Sequence, residues 1–313
     1  MNAANDTATP PVRVGLVGAG QWARTMHAPM HAAGRETVLT GVWSPSRERA
    51  SALAATFGVR AFASLDELLD ASEAVDFAVP PAAQAELALE AAAAGRALLL
   101  EKPLAASFEA AARLVDAIDA AGAVSIVNLT RRYQARTREF LEQANALRGG
   151  VLAITGRYVH GGFLETGFIA EAERNGWRSD LGALYDLGPH LLDLADAAAG
   201  RIRRVTSSGN AGEVVLLTTN HEGGAVGQFV ISGRVETSQV LAGLDVYGEA
   251  GYLAYSTRGL EVSEAAATLR AEFAAAVRTG VPVAVDAHRA LEVQRIVDAA
   301  ARSLAERRPV DVD

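Results

Sequence analysis

Short apolar runs alternate with stretches of helical length between Val12 and Val127. The apolar runs are Val12–Val17, Val38–Trp43, Val75–Pro80, Ala97–Leu100 and Val124–Val127. The segments between them predict helices, which include Arg47–Phe57, Leu65–Leu69 and Gln84–Ala94. Strands that alternate with helices are typical of βαβ units, whose strands form a parallel sheet. The first part of the chain is therefore predicted to be an α/β domain.

The pattern changes after about Leu129, where strands follow one another with glycine-containing turns between them. These β-rich runs are Leu152–Val159, Val214–Thr219, Ala225–Ser232 and Val240–Tyr255. Because most of them follow one another without a helix between, we expect an antiparallel sheet. Helices are predicted near Leu181–Ala198, Glu264–Arg278 and His288–Glu306. The second part is thus predicted to be an α+β domain with a large, mostly antiparallel open sheet.

The composition of the chain points to small-molecule ligands. Half of the 313 residues are hydrophobic and 21% are charged, the profile of an ordinary globular protein. The formal net charge of −8 leaves no excess of lysine and arginine to neutralise a phosphate backbone, so we expect no nucleic-acid partner. No apolar run approaches the roughly 20 residues that a membrane span needs, so no membrane partner is expected either.

The start of the chain and its lack of cysteine bear on its location. Residues 1–10 lack the basic and apolar regions of a signal peptide and are predicted to be a disordered tail. The absence of cysteine excludes disulfides, thiolate nucleophiles and cysteine-ligated metals, and it agrees with a reducing compartment. We therefore expect the protein in the cytoplasm.

A glycine-rich turn follows the first predicted strand. Gly18, Gly20 and Ala23 give the spacing G-x-G-x-x-A between a strand and a helical stretch. In such a turn the first glycine makes the bend, the second lets the backbone approach a pyrophosphate, and the small third residue permits close helix–strand packing. The helix that begins near Gln21 and Trp22 would offer unpaired N–H groups to the anion. The turn predicts a Rossmann dinucleotide-binding domain with Gly18, Gly20, Gln21 and Trp22 at the coenzyme; a purely geometric turn is the alternative.

The second strand ends without an acidic residue. NAD-selective domains usually carry Asp or Glu there, whose carboxylate accepts a hydrogen bond from the ribose 2′-hydroxyl. Here the strand is followed by Ser44, Pro45, Ser46 and Arg47. Hydroxyls and a guanidinium can bind a 2′-phosphate, which a carboxylate would repel. Ser44 and Arg47 are therefore predicted coenzyme contacts, with NADP slightly preferred over NAD. The alternative is that Ser44 only begins a turn and Arg47 is a solvated side chain.

Glu101, Lys102 and Pro103 follow the apolar run Ala97–Leu100. Ligands of open α/β sheets lie beyond the carboxyl ends of the strands, so Lys102 is predicted to point into the coenzyme crevice. Pro103 restricts the residue before it and can form a cis peptide bond, which would set the direction of the lysine. A solvated lysine is the alternative.

Residues 181–195 are the densest chemical segment of the second part. Asp186 and His190 are four residues apart, so on a helix they share one face. A carboxylate and an imidazole one turn apart can orient a substrate hydroxyl and move its proton. Pro189 is predicted to start a helix near its own position and to leave Asp186 on the preceding turn. An N-capping aspartate and a structural histidine are the alternatives.

Together these motifs resemble the Gfo/Idh/MocA oxidoreductase family, and the resemblance runs nearly end to end. It rests on Gly18-Ala19-Gly20, Glu101-Lys102-Pro103, the Asp186-x-x-x-His190-x-x-Asp193 segment and the closing Arg289–Val293 helix. It implies that Lys102, Asp186 and His190 form the catalytic group and contact the substrate. The implied reaction moves a hydride between nicotinamide and a carbinol carbon of a sugar, cyclitol or related polyol.

The resemblance implies further contacts around this group. Pro80 and Glu101 are expected at the coenzyme, while Trp177 and Arg178 are expected at the substrate. Many members have a histidine near the position of Gln84, which weakens the expectation of a contact with the nicotinamide ribose there. Further candidates for the substrate wall, each with packing as the alternative, are Arg132, Tyr133, His160 and Phe163.

His27 matches a histidine that often follows the glycine turn in the family, which makes it a candidate near the coenzyme. A helix-face histidine paired with His31 is the alternative. Two histidines four residues apart can hold a metal, but no third ligand is evident, and the resemblance implies no metal.

Two other functions remain open on this fold. One is a dinucleotide-binding regulator without catalysis, and the other is a lyase or glycosidase that oxidises its substrate transiently. We expect a Rossmann domain at 11–128, a substrate and oligomerisation domain at 129–285, and a C-terminal helix and tail at 286–313 that packs back on the Rossmann domain. The resemblance also implies a homodimer or homotetramer formed through the C-terminal sheet.

Overall fold

A sheet of six parallel strands organises the first part of the chain, in the order β3-β2-β1-β4-β5-β6. The computed structural model describes residues 10–147, 149–169, 171 and 176–312. The strands are β1 Val12–Val17, β2 Thr37–Trp43, β3 Arg60–Ala61, β4 Ala74–Phe77, β5 Ala97–Leu100 and β6 Ser125–Val127. The helical segments are a π-helical turn at Ala23–His27, α1 Ala28–Ala32, α2 Arg47–Phe57, α3 Leu65–Ala71, α4 Pro81–Ala93 and α5 Phe108–Ala121.

The central strands of this sheet are covered by helices on both faces. Every residue of β4 and β5 is buried, which explains why these strands are short continuous apolar runs. The helices α2, α3 and α5 are capped by Ser46, Ser64 and Ser107, whose hydroxyls each accept a hydrogen bond from the backbone N–H three residues further on. The strand order reverses between β1 and β4, where open α/β sheets form a crevice at the carboxyl ends of the strands.

A second sheet of seven strands follows, in the order β12-β11-β7-β10-β9-β8-β13. Its neighbouring strands are antiparallel except β7 and β10, which run parallel. The strands are β7 Val151–Val159, β8 Ile202–Asn210, β9 Val214–His221, β10 Val226–Ser232, β11 Leu241–Gly248, β12 Gly251–Ser256 and β13 Val310–Asp311. The helical segments are a 3-10 turn at Thr130–Tyr133, α6 Ala135–Asn145, α7 Trp177–Ala199, α8 Val262–Thr279 and α9 Ala287–Glu306. The predicted architecture, a parallel sheet followed by a mostly antiparallel one, is confirmed.

Helices α7 and α9 pack between the sheets. α7 covers the inner face of the second sheet and buries Leu187, Leu191 and Leu194 there. α9 contributes Val293 to the core of the first sheet and Val297 to that of the second. Within the described residues, none of the helices has the length and apolar character to cross a membrane.

Two arginines anchor the last helices. Arg270 of α8 donates through Nε to Oε2 of Glu36 at 2.8 Å, which fixes α8 beside the first sheet. Arg289 of α9 donates through Nε to Oδ1 of Asp193 at 2.8 Å and through Nη1 to Oδ2 of Asp196 at 2.7 Å. Because both aspartates lie on α7, this ion-pair cluster fixes α9 against α7.

Three predicted elements differ in the structure, and the strand β8 and the helix α6 were not predicted. The strand predicted at Val75–Pro80 ends at Phe77, and the run Val240–Tyr255 is two strands, β11 and β12, joined by a tight turn. Pro189 lies inside α7 and does not start it. The chain bends instead at Gly182, whose φ of +74° is outside the helical range. Asp186 and His190 therefore lie on the same helix, beyond the bend.

Candidate active site

A cleft of about 800 Å³ lies between the two sheets, at the carboxyl ends of the strands of the first one. The glycine turn and the segments after β2, β4 and β5 form one wall, and α7 and β7 form the other. This volume lies in the range of about 300–1,000 Å³ that is usual for small-molecule sites. The sequence-predicted residues that line the cleft are Gly18, Gly20, Gln21, Trp22, Ser44, Pro80, Glu101, Lys102, His160, Trp177, Arg178, Asp186 and His190.

The glycine turn leaves a cradle of bare backbone. Gly18 has a φ of +118°, and a Cβ at this position would lie 2.3 Å from the carbonyl oxygen of Ala78. Glycine is required there by both backbone conformation and space. The N–H of Gly18 donates to the carbonyl of Trp43 at 2.8 Å, which ties the turn to the end of β2. A turn without side chains beside a helix start fits the pyrophosphate of a dinucleotide.

The structure places Arg47 outside the cleft, while Ser44, Ser46 and Arg49 line it. Ser46 caps α2 by accepting the N–H of Arg49 at 3.4 Å, so the helix begins at Arg47. Side chains two residues apart on a helix point about 200° apart, so Arg47 and Arg49 face different directions. The guanidinium at this end of the cleft therefore belongs to Arg49.

Lys102 leaves the end of β5 and reaches across the cleft to α7. Its peptide bond to Pro103 is cis. Its Nζ donates to Oδ1 of Asp186 at 2.7 Å and to the carbonyl oxygen of the same residue at 2.8 Å. An ammonium group carries three N–H donors, so these two bonds leave one N–H for a ligand in the cleft.

Asp186 is buried between two cations. Its Oδ2 accepts a hydrogen bond from Nε of Arg178 at 3.0 Å, while Oδ1 accepts from Lys102. Burial alone would raise the pKa of Asp186, but the charges of Lys102 and Arg178 outweigh it and hold that pKa well below its usual range. Asp186 is therefore ionised at neutral pH and orients Lys102.

His190 lies one turn further along α7 and is held neutral. Its ring is largely buried, and Nδ1 has no hydrogen-bond partner among the described residues. Burial, followed by the charges of Lys102 and Arg131, holds the pKa of His190 well below 6.5. An imidazole that is neutral at pH 7 can accept a proton from a hydroxyl group.

Trp177 and Arg178 begin α7 and face the same cleft. The guanidinium of Arg178 lies 4.4 Å from the ring centroid of Trp177, and Nζ of Lys102 lies 6.0 Å from it. A guanidinium and an ammonium over an aromatic face are favourable cation–π contacts. These contacts hold Trp177 beside the Lys102–Asp186 pair.

Comparison with known proteins accounts for both sheets. Residues 12–129 match the family described as "Oxidoreductase family, NAD-binding Rossmann fold", and residues 149–254 match the "GFO/IDH/MocA C-terminal domain". The chain belongs to the GFO/IDH/MocA family. The resemblance predicted from the sequence is thus confirmed.

Curated relatives of the chain include dehydrogenases and reductases of sugars and polyols. Glucose-6-phosphate 3-dehydrogenase of Bacillus subtilis (strain 168) is 30% identical over 58% of this chain and 52% of its own length. dTDP-3,4-didehydro-2,6-dideoxy-alpha-D-glucose 3-reductase of Streptomyces violaceoruber is 34% identical over 66% of this chain and 59% of its own. Inositol 2-dehydrogenase of Leifsonia xyli subsp. xyli (strain CTCB07) is 39% identical over 35% and 33%. The chain thus spans 33% to 59% of the length of these relatives.

Solved structures share the whole fold. GenD2 from gentamicin A biosynthesis, in complex with NAD, superposes with a TM-score of 0.85 at 24% identity and 97% coverage of both chains. Levoglucosan dehydrogenase, in complex with NADH and L-sorbose, gives 0.84 at 20% identity, with coverage of 97% of this chain and 100% of its own. At these identities the likeness is one of fold.

Glu101 of this GFO/IDH/MocA chain is held by three side chains from two segments, the helical stretch after the glycine turn and the end of β6. Its Oε1 accepts from Nε1 of Trp22 at 2.8 Å and from Nδ2 of Asn128 at 2.6 Å, and it lies 3.0 Å from Nε2 of His27. Glu101 borders the cleft, but one of its oxygens is committed to protein donors. The carboxylate therefore joins the helix after the glycine turn to the turn that carries Lys102.

Gln84, at the position where many family members have a histidine, is fully buried. Its Nε2 donates to the carbonyl oxygens of Glu101 at 2.8 Å and of Leu104 at 3.1 Å, and its Oε1 accepts the N–H of Glu101 at 2.8 Å. These bonds fix both sides of the Lys102–Pro103 turn. Gln84 therefore positions Lys102 from below and does not line the cleft.

His27 and His31 share the carboxylate of Asp76 in the interior. Nδ1 of His27 lies 2.8 Å from Oδ2 of Asp76, and Nε2 of His31 lies 2.9 Å from the same oxygen. Burial opposes a charge on His27, but Asp76 and Glu101 outweigh it and raise its pKa to about 10. Burial likewise opposes ionisation of Asp76, but the two histidines lower its pKa to about 2. His27 is thus an imidazolium that bridges Asp76 and Glu101, outside the cleft.

The remaining wall candidates lie elsewhere, and several residues that line the cleft were not predicted. Tyr133 is buried, with its hydroxyl donating to a backbone carbonyl, and Nη1 of Arg132 lies 3.6 Å from Oδ2 of buried Asp193. Phe163 lines a second, separate cavity. Arg131 and Tyr158 line the cleft without having been predicted. The signal for Arg131 is its place just after β6, by the strand-end argument used for Lys102.

Proposed function

We propose that this protein is an NAD(P)-dependent oxidoreductase that acts on a CH–OH group of a sugar, cyclitol or related polyol. One observation carries the proposal: the glycine cradle, the Lys102–Asp186 ion pair and the neutral His190 meet in one cleft. The sugar and inositol dehydrogenases among the relatives support the substrate class.

In this mechanism the coenzyme supplies the acceptor or donor for the hydrogen and electron pair of the carbinol carbon. His190 accepts the hydroxyl proton when the alcohol is oxidised and returns it when the carbonyl is reduced. The remaining N–H of Lys102 donates to the same oxygen and stabilises the negative charge that develops as the proton leaves. Asp186 holds the ammonium group in place, and Gln84 holds the turn beneath it.

The test is a screen of sugars, cyclitols and dihydrodiols for a change in NAD(P)H fluorescence. His190→Asn and Lys102→Met should each lower kcat/KM by about 100-fold or more, because each removes a group that acts on the reacting oxygen. Coenzyme binding without substrate should persist in both. His288→Asn, on the exposed side of α9, is the matched control and should leave turnover unchanged. Full turnover in both site variants would refute the assignment.

Lys102 is the sole lysine of the chain, which allows a second test. Reductive methylation of the protein modifies this side chain and the terminal amine alone. We expect methylation to abolish turnover, because dimethylation replaces two of the three N–H donors that serve Asp186 and the substrate. The Lys102→Arg variant, treated in the same way, controls for the terminal amine and should keep its residual activity.

We propose a slight preference for NADP over NAD. The end of β2 offers the hydroxyls of Ser44 and Ser46 and the guanidinium of Arg49 to the cleft, and no carboxylate. Guanidinium groups bind phosphates through charge-assisted hydrogen bonds. Arg49→Gln should shift the ratio of NADPH to NADH dissociation constants by about 10-fold towards NADH. Arg47→Gln is the control, and wild-type protein that binds NADH as tightly as NADPH would contradict the preference.

Product analysis separates this function from the two alternatives. Net oxidation consumes one coenzyme for each product, whereas a lyase or glycosidase that oxidises transiently needs only catalytic amounts. A regulator without catalytic activity would bind the coenzyme but convert no substrate.

The outer face of the second sheet supports a proposed homodimer or homotetramer. Val230 pairs with Leu216, and Tyr247 pairs with Tyr252, so the members of each pair point to one face of the sheet. All four side chains are exposed, as is Val226. Contiguous exposed apolar faces mark interaction sites. Light scattering should show more than one chain per particle, and Tyr252→Glu should favour the monomer; a wild-type monomer at micromolar concentration would refute this.

The domain roles follow from the same reasoning. We propose that residues 11–128 bind the coenzyme, that 129–285 bind the substrate and the partner subunit, and that 286–313 pack back on the coenzyme domain. The cytoplasmic location stays a prediction from the sequence.

A further inference from the structure

Arg131 brings a positive charge to the cleft without a counter-ion among the described residues. It lies in the 3-10 turn after β6 and lines the cleft together with Tyr158. Its hydrogen bond to the protein runs from Nη2 to the hydroxyl oxygen of Tyr158, at 3.4 Å. Within the described part of the chain, no carboxylate oxygen lies within 4.0 Å of its guanidinium nitrogens.

The cations that lie on α7 or against it are compensated, whereas Arg24 and Arg49, which also line the cleft, lie on the helical turn after the glycine turn and on α2. Lys102 and Arg178 share Asp186, and Arg289 binds two aspartates on the far side of α7. A guanidinium has five N–H donors, and most of those of Arg131 are unused by the described residues. None of its nitrogens is both buried and unpaired, so the unused N–H groups open into the cleft.

Arg131 lies near Tyr158 and His190 and away from the pyrophosphate cradle. β6 is separated from β1 by β4 and β5, so the two strands are about 14 Å apart at the usual strand spacing. Tyr158, to which Arg131 donates, has its ring centroid 6.0 Å from that of His190. The charge of Arg131 also contributes to lowering the pKa of His190, as expected for a neighbour of the reacting group.

We propose that the substrate carries an anionic group, a carboxylate or a phosphate, which Arg131 and the Tyr158 hydroxyl bind beside His190. The inference rests on the proposed function, because it names the substrate class of that site. A guanidinium matches the paired oxygens of carboxylates and phosphates through two parallel hydrogen bonds. The Tyr158 hydroxyl accepts from Arg131 and donates its own proton to the anion. The chemistry therefore favours a sugar acid or a sugar phosphate over a neutral sugar.

The first arm of the test measures anion binding alone. Inorganic phosphate and acetate are titrated calorimetrically into the NADH-loaded protein, so that the coenzyme cradle is already filled. We expect Arg131→Gln to weaken binding of the better anion by about 10-fold or more, because charge-assisted hydrogen bonds are lost. Arg113→Gln removes the same charge from the exposed side of α5 and should change nothing. Equal anion binding by wild type and Arg131→Gln would overturn the proposal.

The second arm compares neutral sugars with their counterparts that carry an anionic group at C6. Glucose is paired with glucuronate and with glucose 6-phosphate, and galactose with galacturonate, as ligands and as substrates. We expect wild type to favour the anionic member by about 10-fold or more, and Arg131→Gln to reduce that ratio to near one. The better of the two anionic forms identifies carboxylate or phosphate. Preference for the neutral member of every pair would overturn the proposal.

The two arms separate this inference from the proposed function. Anion-selective binding without turnover of any sugar would contradict the proposed oxidoreductase and leave the anion site standing. Turnover of neutral sugars that Arg131→Gln does not affect would establish the oxidoreductase and remove the anion site. Arg131→Lys, which keeps the charge but loses the paired geometry, should retain a part of the selectivity in both arms.

Discussion

The change Asp186→Asn tests the Lys102–Asp186 ion pair, because it removes the negative charge and keeps the shape of the side chain. The carboxylate lies 2.7 Å from Nζ of Lys102 and 3.0 Å from Nε of Arg178. At an effective dielectric constant of about 20, unit charges at the shorter distance attract by about 6 kcal/mol, most of which offsets the cost of desolvation. In the variant that attraction is gone, while both cations stay desolvated. We therefore expect a loss of about 3–5 kcal/mol in the free energy of unfolding.

The loss is measured by thermal unfolding followed by circular dichroism. We expect the Tm to fall by about 10 °C, since 1 kcal/mol moves the Tm of domains of this size by a few degrees. The kcat should fall by about 100-fold, because Lys102 loses the acceptor that aims its remaining N–H. Asp180→Asn, on the exposed first turn of α7, is the matched control and should shift Tm by less than about 1 °C.

A double variant decides whether the two effects belong to one ion pair. Lys102→Met combined with Asp186→Asn removes a cation together with its anion, so less uncompensated charge remains. The double variant should be more stable than the sum of the single losses by about 1–3 kcal/mol, although it stays inactive. Single losses that add to within about 0.5 kcal/mol would refute the reasoning.

Three further predictions concern the pKa values and the glycine turn. In the pH profile of kcat/KM for alcohol oxidation, the loss of activity on the acidic side should occur below pH 6.5, because burial and the charges of Lys102 and Arg131 lower the pKa of His190. A loss centred at or above pH 6.5 would contradict a neutral imidazole. Gly18→Ala should weaken coenzyme binding by about 10-fold or more through strain, whereas Gly58→Ala, which also has a positive φ but meets no neighbouring atom, should not. Urea unfolding measures the difference in the free energy of unfolding between wild type and His27→Gln. Because folding raises the pKa of His27, this difference should have its full size below pH 6.5 and shrink as the pH rises towards 10. A difference that is constant with pH would contradict a charged His27.

Local pattern was enough to predict the elements that depend on neighbouring residues. The apolar runs of β1, β2 and β5 and the glycine turn were predicted from spacing alone, because strand burial and turn sterics act over a few residues. Pro189 shows the limit of such reasoning. It was expected to start a helix near its own position, yet α7 runs through it and bends at Gly182 instead. The continued helix places Leu187, Leu191 and Leu194 in the core of the second sheet.

The candidate site divides in the same way. Lys102, Asp186 and His190 were predicted from strand-end and helix-spacing arguments, and the structure brings all three to one cleft. Arg47 was predicted at the coenzyme end, but the direction of the first turn of α2 presents Arg49. Arg131 carried the same strand-end signal as Lys102 and was missed. Its significance depends on the absence of a nearby carboxylate in the described structure, which spacing along the chain does not reveal.

The sequence by itself determined the two-part fold, the family and the chemical identity of the groups in the cleft, because these depend on residue type and short-range periodicity. The tertiary structure decided which of those groups meet and in what charge state. Asp186 binds Lys102 from 84 positions away, His27 is an imidazolium only because Asp76 and Glu101 enclose it, and His190 is neutral because it is buried near two cations. Charge states depend on distances through space and on desolvation, and the chain fixes both only when it folds.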